Sequence, residues 1–147
     1  MKNPSYEILK TIYAALNGQV TINSVTVPVY TFAPTGVNRY IWLAALRGSE
    51  DWTKDEFGGN WFIDINCIDR VANGQENMKV VFDIADQVMQ TLQPTPNAKL
   101  SLGDGITDHR LQLVGSRDLT ELTEDGVEFR VLLEWRVMLS AGDNVIT

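Results

Sequence analysis

The sequence predicts an α+β domain: a mostly antiparallel sheet with two helices packed on one face, and an extended loop or hairpin projecting from it. Three observations carry this. Val127 to Leu139 alternates strictly, with Val127, Phe129, Val131, Leu133, Trp135, Val137 and Leu139 at odd positions and Glu128, Arg130, Leu132, Glu134, Arg136 and Met138 between them. Such alternation is the pattern of a long strand with one face in a core and the other mostly charged. Two segments carry apolar residues at three-four spacing, the period of amphipathic helices. Strand-like runs flank them, so one sheet face is the economical place to bury both helical stripes.

In chain order, Asn3-Pro4 reads as an N-cap followed by proline in the first turn. Tyr6, Leu9, Ile12, Tyr13 and Leu16 then recur at helical spacing, and Asn17-Gly18 is a left-handed stop. The first helix is therefore expected from about Pro4 to about Asn17. Val20 to Phe32 is rich in Val and Thr and is interrupted at Asn23-Ser24, which predicts a short hairpin or a bend between two strand pieces. Pro28 demotes the second piece to an edge or irregular strand. Ala33-Pro34-Thr35-Gly36 is a turn signal.

Tyr40 to Leu46 is apolar on both faces, as in a strand covered on both sides or packed against a neighbouring subunit. Gly48 to Asn60 is polar and reads as a long loop or an extended hairpin tip; loops of that length usually carry function or contacts. Trp61 to Asp69 is a strand with Trp61, Ile63, Ile65 and Cys67 on one face and Asp64 and Asn66 on the other. A second helical stretch begins at Asn73-Gly74, carries Met78, Val81, Ile84, Ala85, Val88, Met89 and Leu92, and ends at Pro94 and Pro96. Ala98 to Leu102 is a short strand candidate and Gly103-Asp104-Gly105 a turn. His109 to Leu122 and Val127 to Leu139 are the last strands, joined by the hairpin signal Thr123-Glu124-Asp125-Gly126. Ser140 to Thr147 reads as a loosely held tail on a single domain spanning 1–147. Ile41, Leu43, Phe62 and Ile68 are expected to leave the second sheet face partly apolar, a hint of a subunit interface or of a further covering layer.

Composition narrows the function classes. With 147 residues and 44% hydrophobic content, the chain can bury one real core. A net charge of −7 disfavours gripping nucleic acid, where phosphate neutralisation dominates affinity, and is compatible with a surface that lets DNA pass. The single cysteine, Cys67, forms no internal disulfide and sits where a small buried hydrophobe belongs. No signal peptide is evident and no apolar run approaches the roughly 20 residues of a membrane span, so no membrane partner is expected.

Chemistry is hard to place. The single histidine, His109, lies in Asp108-His109-Arg110 at a strand start, and no serine stands in a nucleophile elbow. A small hydrolase using His109 with a nearby acid is the enzymatic alternative, and an exposed strand-edge histidine is the plainer reading. One Cys and one His are too few for structural zinc. The carboxylates Glu50, Asp51, Asp55, Glu56, Asp64, Asp69, Asp104 and Asp108 form no calcium-loop pattern. Neither a phosphate-cradling glycine loop nor a basic stripe is present. No cofactor or metal is expected. The face carrying Glu128, Arg130, Glu134 and Arg136 is mixed in sign: either wetted sheet surface or a polar interface in which charges set register.

The order of parts carries a resemblance. Tyr6-x-x-Leu9 in an opening helix is followed by Val27-Pro28-Val29-Tyr30, by Arg39-Tyr40-Ile41-Trp42-Leu43, by Asp51-Trp52-Thr53-Lys54 before a strand near Trp61, by a mid-chain helix, and by a long closing hairpin. From about Tyr6 to about Leu139 this resembles the tail terminator, or tail-to-head joining, proteins of tailed bacteriophages. The resemblance implies a structural, non-enzymatic virion protein: a homo-oligomeric ring, commonly a hexamer, that caps the tail tube, stops its polymerisation and joins it to the neck, with DNA passing through the pore. Its partners would be copies of itself, the tail tube protein and a neck or head-completion protein. A neck connector or stopper is the neighbouring alternative. The residues expected at subunit or tube contacts are Trp52, Lys54 and Phe57 on the loop, and Arg130, Glu134 and Arg136 on the strand face. Trp52 could equally fold back over its own sheet.

Overall fold

The computed structural model describes residues 5–52, 57–72, 77–95 and 107–141. Its elements run α1 (Ser5–Leu16), β1 (Thr21–Ile22), β2 (Val25–Thr26), β3 (Val29–Tyr30), β4 (Arg39–Trp52), β5 (Phe57–Ala72), α2 (Lys79–Leu92), β6 (Thr107–Asp118), β7 (Glu121–Leu122) and β8 (Gly126–Ala141). The fold is α+β, as the sequence predicts. Among the described residues the main sheet has the order β3-β4-β5-β8-β6, with β7 continuing along the β6 side of β8. All pairings in it are antiparallel except β3 with β4.

The core lies between the two helices and one sheet face. Ile41 and Leu43 on β4 align with Cys67 and Ile65 on β5, which align with Val131 and Leu133 on β8. Together with Ile63, Trp135 and Val137 these are buried beneath α1, through Ile8, Ile12 and Leu16, and α2, through Val81, Ile84, Ala85, Val88 and Leu92. Register makes this placement firm, because a slip of one residue would carry the whole apolar set to the other face. Ile41 and Leu43 therefore belong to the helix-covered face and not to the second face where they were expected; Phe62 and Ile68, which face the other way, do remain there.

Local expectations hold with adjustments. Asn23 and Ser24 both have positive φ, 50° and 66°, the signature of a tight hairpin turn, and close β1 on β2. Gly18 takes φ 80° after α1, supplying the left-handed stop. Pro28 precedes β3, a two-residue edge strand whose start is tied down by Ile41 N–H donating to the Pro28 carbonyl at 2.9 Å. The second helix begins at Lys79, later than Asn73-Gly74, and Met78 sits exposed at its N-cap. The expected strand His109 to Leu122 is two strands. Asp118 turns back on its own backbone, its Oδ1 accepting the Thr120 N–H at 3.0 Å and also the Thr120 hydroxyl, and this local bond breaks the ladder between β6 and β7. Asn3-Pro4, Ala98 to Leu102 and Gly103-Asp104-Gly105 lie outside the described residues. Ser140 and Ala141, placed in the loose tail by sequence, pair with Gly58 and Phe57 as the end of β8.

Candidate functional site: an open sheet face and a projecting hairpin

Between Gly48 and Asn60 the two alternatives, loop or hairpin, resolve to an extended hairpin. β4 and β5 stay in register from Arg47↔Phe62 out to Trp52↔Phe57. A bulge between Ala44 and Arg47 resets the register before the hairpin extends. At its root, Gly48 lies against the Trp61 indole so closely that a β-carbon would meet the ring at 2.2 Å. A glycine is required there because the ring occupies the space of a side chain.

The sheet face turned away from the helices has no layer over it among the described elements, yet it is orderly. Its rows follow from register: Ala44–Asp64–Glu134, Arg47–Phe62–Arg136, Trp42–Asn66–Leu132 and Tyr40–Ile68–Arg130. Arg47 on β4 donates to Asp64 on β5 at 3.3 Å and to Glu134 on β8 at 2.9 Å, bridging three strands. Arg70 donates to Glu128 at 2.7 Å and to the Tyr40 hydroxyl at 3.4 Å. Arg130 donates to the buried Asn66 Oδ1 at 2.9 Å, and Arg136 donates to Gln112 on β6.

Three of these guanidiniums also lie over aromatic rings: Arg47 over Phe62 at 5.5 Å, Arg70 over Tyr40 at 5.8 Å and Arg130 over Trp42 at 5.8 Å. Weakly hydrated, planar guanidinium suits this double use. The arginine stems roof the apolar residues beneath, which explains how Tyr40, Ile68 and Leu132 are buried on a face no helix covers. Burial raises the Tyr40 hydroxyl above its ordinary pKa, and the hydrogen bond that Arg70 donates to Glu128 raises that of Arg70. Each of these arginines is engaged by a partner on the face, Arg47 and Arg70 by carboxylates and Arg130 and Arg136 by side-chain amides, so the surface is a pre-organised plate of mixed charge and not a cationic trough for nucleic acid.

The sequence-predicted contact residues divide. Arg130, Glu134 and Arg136 are brought together on this plate, each half-buried. Trp52 and Phe57 pair with each other at the far end of the described hairpin; Phe57 is five residues along β5 from Phe62, the partner of Arg136, or roughly 16 Å at the usual strand rise. Their side chains, and all of Lys54, lie outside what the structure describes. His109 is a residue of β6, within a register irregularity between Thr107 and Arg110. Among the described residues no group of three His, Cys, Asp or Glu is placed to hold a metal ion, and no helix is long and apolar enough to cross a membrane. Cys67 is buried, and burial pushes its thiol up to about 12.

Sequence reasoning missed Arg47, the hub of the plate, because it falls just beyond the apolar run Tyr40 to Leu46. It also misassigned Tyr6 and Tyr13. Both stand exposed, on a row beside the buried Ile8–Ile12–Leu16 row of α1. With Leu9, Lys10, Val29, Tyr30, Thr31 and Phe32 they line a groove of about 490 Å³ between α1 and β3. The signal was available: α1 carries two interleaved apolar rows, more than one core stripe needs.

No protein-family model matches the chain, and no curated protein matches it. Among solved structures the fold is shared with a chain described as "Virion of native gene transfer agent (GTA) particle", at a TM-score of 0.69 and 18% identity, covering 95% of this chain and 99% of that one. At that identity the likeness establishes the fold.

Proposed function

We propose that this chain is a structural protein of a phage or phage-like virion: a ring-forming tail terminator that caps the tail tube and joins it to the neck. The observation that carries the reading is the likeness in fold to a virion chain, which spans nearly all of both chains. The surface supports it. An open sheet face of mixed charge and a long β4–β5 hairpin suit docking against large, repetitive partners better than enclosing a small substrate. In the assembled particle Trp52, Lys54 and Phe57, and the plate bearing Arg130, Glu134 and Arg136, make contacts with the tube or with neighbouring copies. The net charge of −7 leaves a pore lining that DNA traverses without adhering. The protein works by occupying a site, without cofactor or bond-making chemistry.

The test is assembly of the tail with and without this chain. Tubes polymerised from the purified tube protein should stop elongating when the protein is added, and electron microscopy should show it at one tube end only. Tubes that grow unchanged and carry no cap contradict a terminator. Binding instead to a portal-side ring, with no tube binding, assigns the chain to the neck as a connector or stopper.

A further inference from the structure

We infer that copies of this chain join head to tail, the β6–β7 margin of one copy seating its exposed apolar residues in the Tyr6–Phe32 groove of the next. This rests on the ring reading and names the surfaces that close the ring. Two exposed apolar patches stand on opposite margins of the same sheet. On the β3 side, Tyr6 is 68% exposed and Phe32 64%, and with Leu9, Lys10, Tyr13 and Tyr30 they line the 490 Å³ groove. On the β6–β7 side, Leu122 is 87% exposed, with the exposed Leu119 three residues before it at the turn into β7; Val114, 51% exposed, stands farther along the same edge, level with Glu134 on β8.

A heterologous ring contact requires this arrangement: two different, complementary surfaces on opposite sides of each subunit. A two-fold contact would need one self-complementary patch instead. The bulge between Leu113 and Gly115 leaves Val114 out of the ladder, and it blunts edge-to-edge strand addition. The margin is therefore suited to inserting side chains and not to extending the sheet.

Charge selects the same pairing. Lys10 is the charged residue in the groove lining. The opposing margin carries Asp118, Glu121, Glu124 and Asp125 against Arg117, all exposed. Apolar anchors ringed by opposite charge favour this partner and disfavour groove against groove. A second copy thus supplies both the apolar payload and the acidic rim that the groove calls for.

The test uses four exposed substitutions in the full chain, with folding checked by circular dichroism and thermal midpoint. Sedimentation velocity is run on each protein alone and with purified tail tubes. Phe32→Asp disables the groove and Leu122→Arg disables the margin; each alone should raise the concentration needed for assembly at least about tenfold. Mixed one to one, the two variants retain one good groove and one good margin between them, and should give a two-chain species that cannot grow. Lys10→Glu should weaken assembly, and the same chain also carrying Glu121→Lys should regain it. If the wild type forms rings and these variants form them equally well, the head-to-tail contact is wrong while the ring reading stands. If the wild type stays monomeric both alone and on tubes, the ring reading falls and this contact falls with it.

Discussion

Two residues show how closely this sheet is fitted. Gly126 opens β8 where the chain passes Val71 and Ala72; a β-carbon there would stand 1.9 Å from the Val71 carbonyl oxygen. Backbone cannot step aside as a flexible side chain can, so Gly126→Ala should cost roughly 1–3 kcal/mol, read as a lower midpoint in urea with an unchanged m-value. Cys67 gives a pH signature. Its thiol lies in the core, and burial raises its pKa from 9.0 to about 12. Between those values the unfolded chain releases the proton and the folded chain keeps it. Stability is therefore unaffected below about pH 9 and falls as pH rises, by about 4 kcal/mol once pH 12 is passed. Tyr40, raised in the same direction by burial, adds to the loss only above its ordinary value of 10.0. Denaturant titrations between pH 9 and 10 isolate the thiol: wild type should lose stability there and Cys67→Val should stay flat. An equal slope in both would refute the assignment.

At the scale of elements, the projecting hairpin and the plate make separable predictions. The strands β4 and β5 continue into polar sequence because a ladder is held by backbone hydrogen bonds, which do not ask for apolar side chains. That is why Gly48 to Asn60 left loop and hairpin open from sequence, while Trp61 to Asp69 and Val127 to Leu139 were legible through alternation. The start of α2 was less legible, since Met78 at the N-cap has no side chain to cap the helix and the Lys79 N–H is instead taken by Asn77 Oδ1 at 3.0 Å. The break before β7 was hidden because Asp118 and Thr120 create it through a bond local to themselves. Arg130, Glu134 and Arg136 were legible as one face because period two fixes sidedness. Arg47 was not, because a bulge carries it there. Trp52→Ala at the hairpin end should leave the thermal midpoint unchanged and weaken tube binding; loss of folding in the isolated chain would contradict a contact role. Arg47→Ala removes two ion pairs from a half-exposed guanidinium, so it should change stability by less than about 1 kcal/mol. A larger loss would mean that the plate is part of the fold's support and not chiefly a surface.

For the whole molecule, the two helices bury one face of the sheet and leave the other as a plate roofed by its own arginines. The opposite margins carry an aromatic groove and an acidic apolar edge. On the ring reading, these exposed hydrophobics are where neighbouring copies meet. The α+β class and the helix-on-sheet layering follow from periodicity alone. The division of surfaces does not, because it depends on which residues of each element the three-dimensional packing leaves uncovered. The most direct measurement of the central claim is the mass of the protein in solution, by sedimentation or light scattering, alone and with purified tail tubes. The account predicts a closed ring-sized species, free or seated on a tube end. A strict monomer at high concentration, with no affinity for tubes, would contradict it.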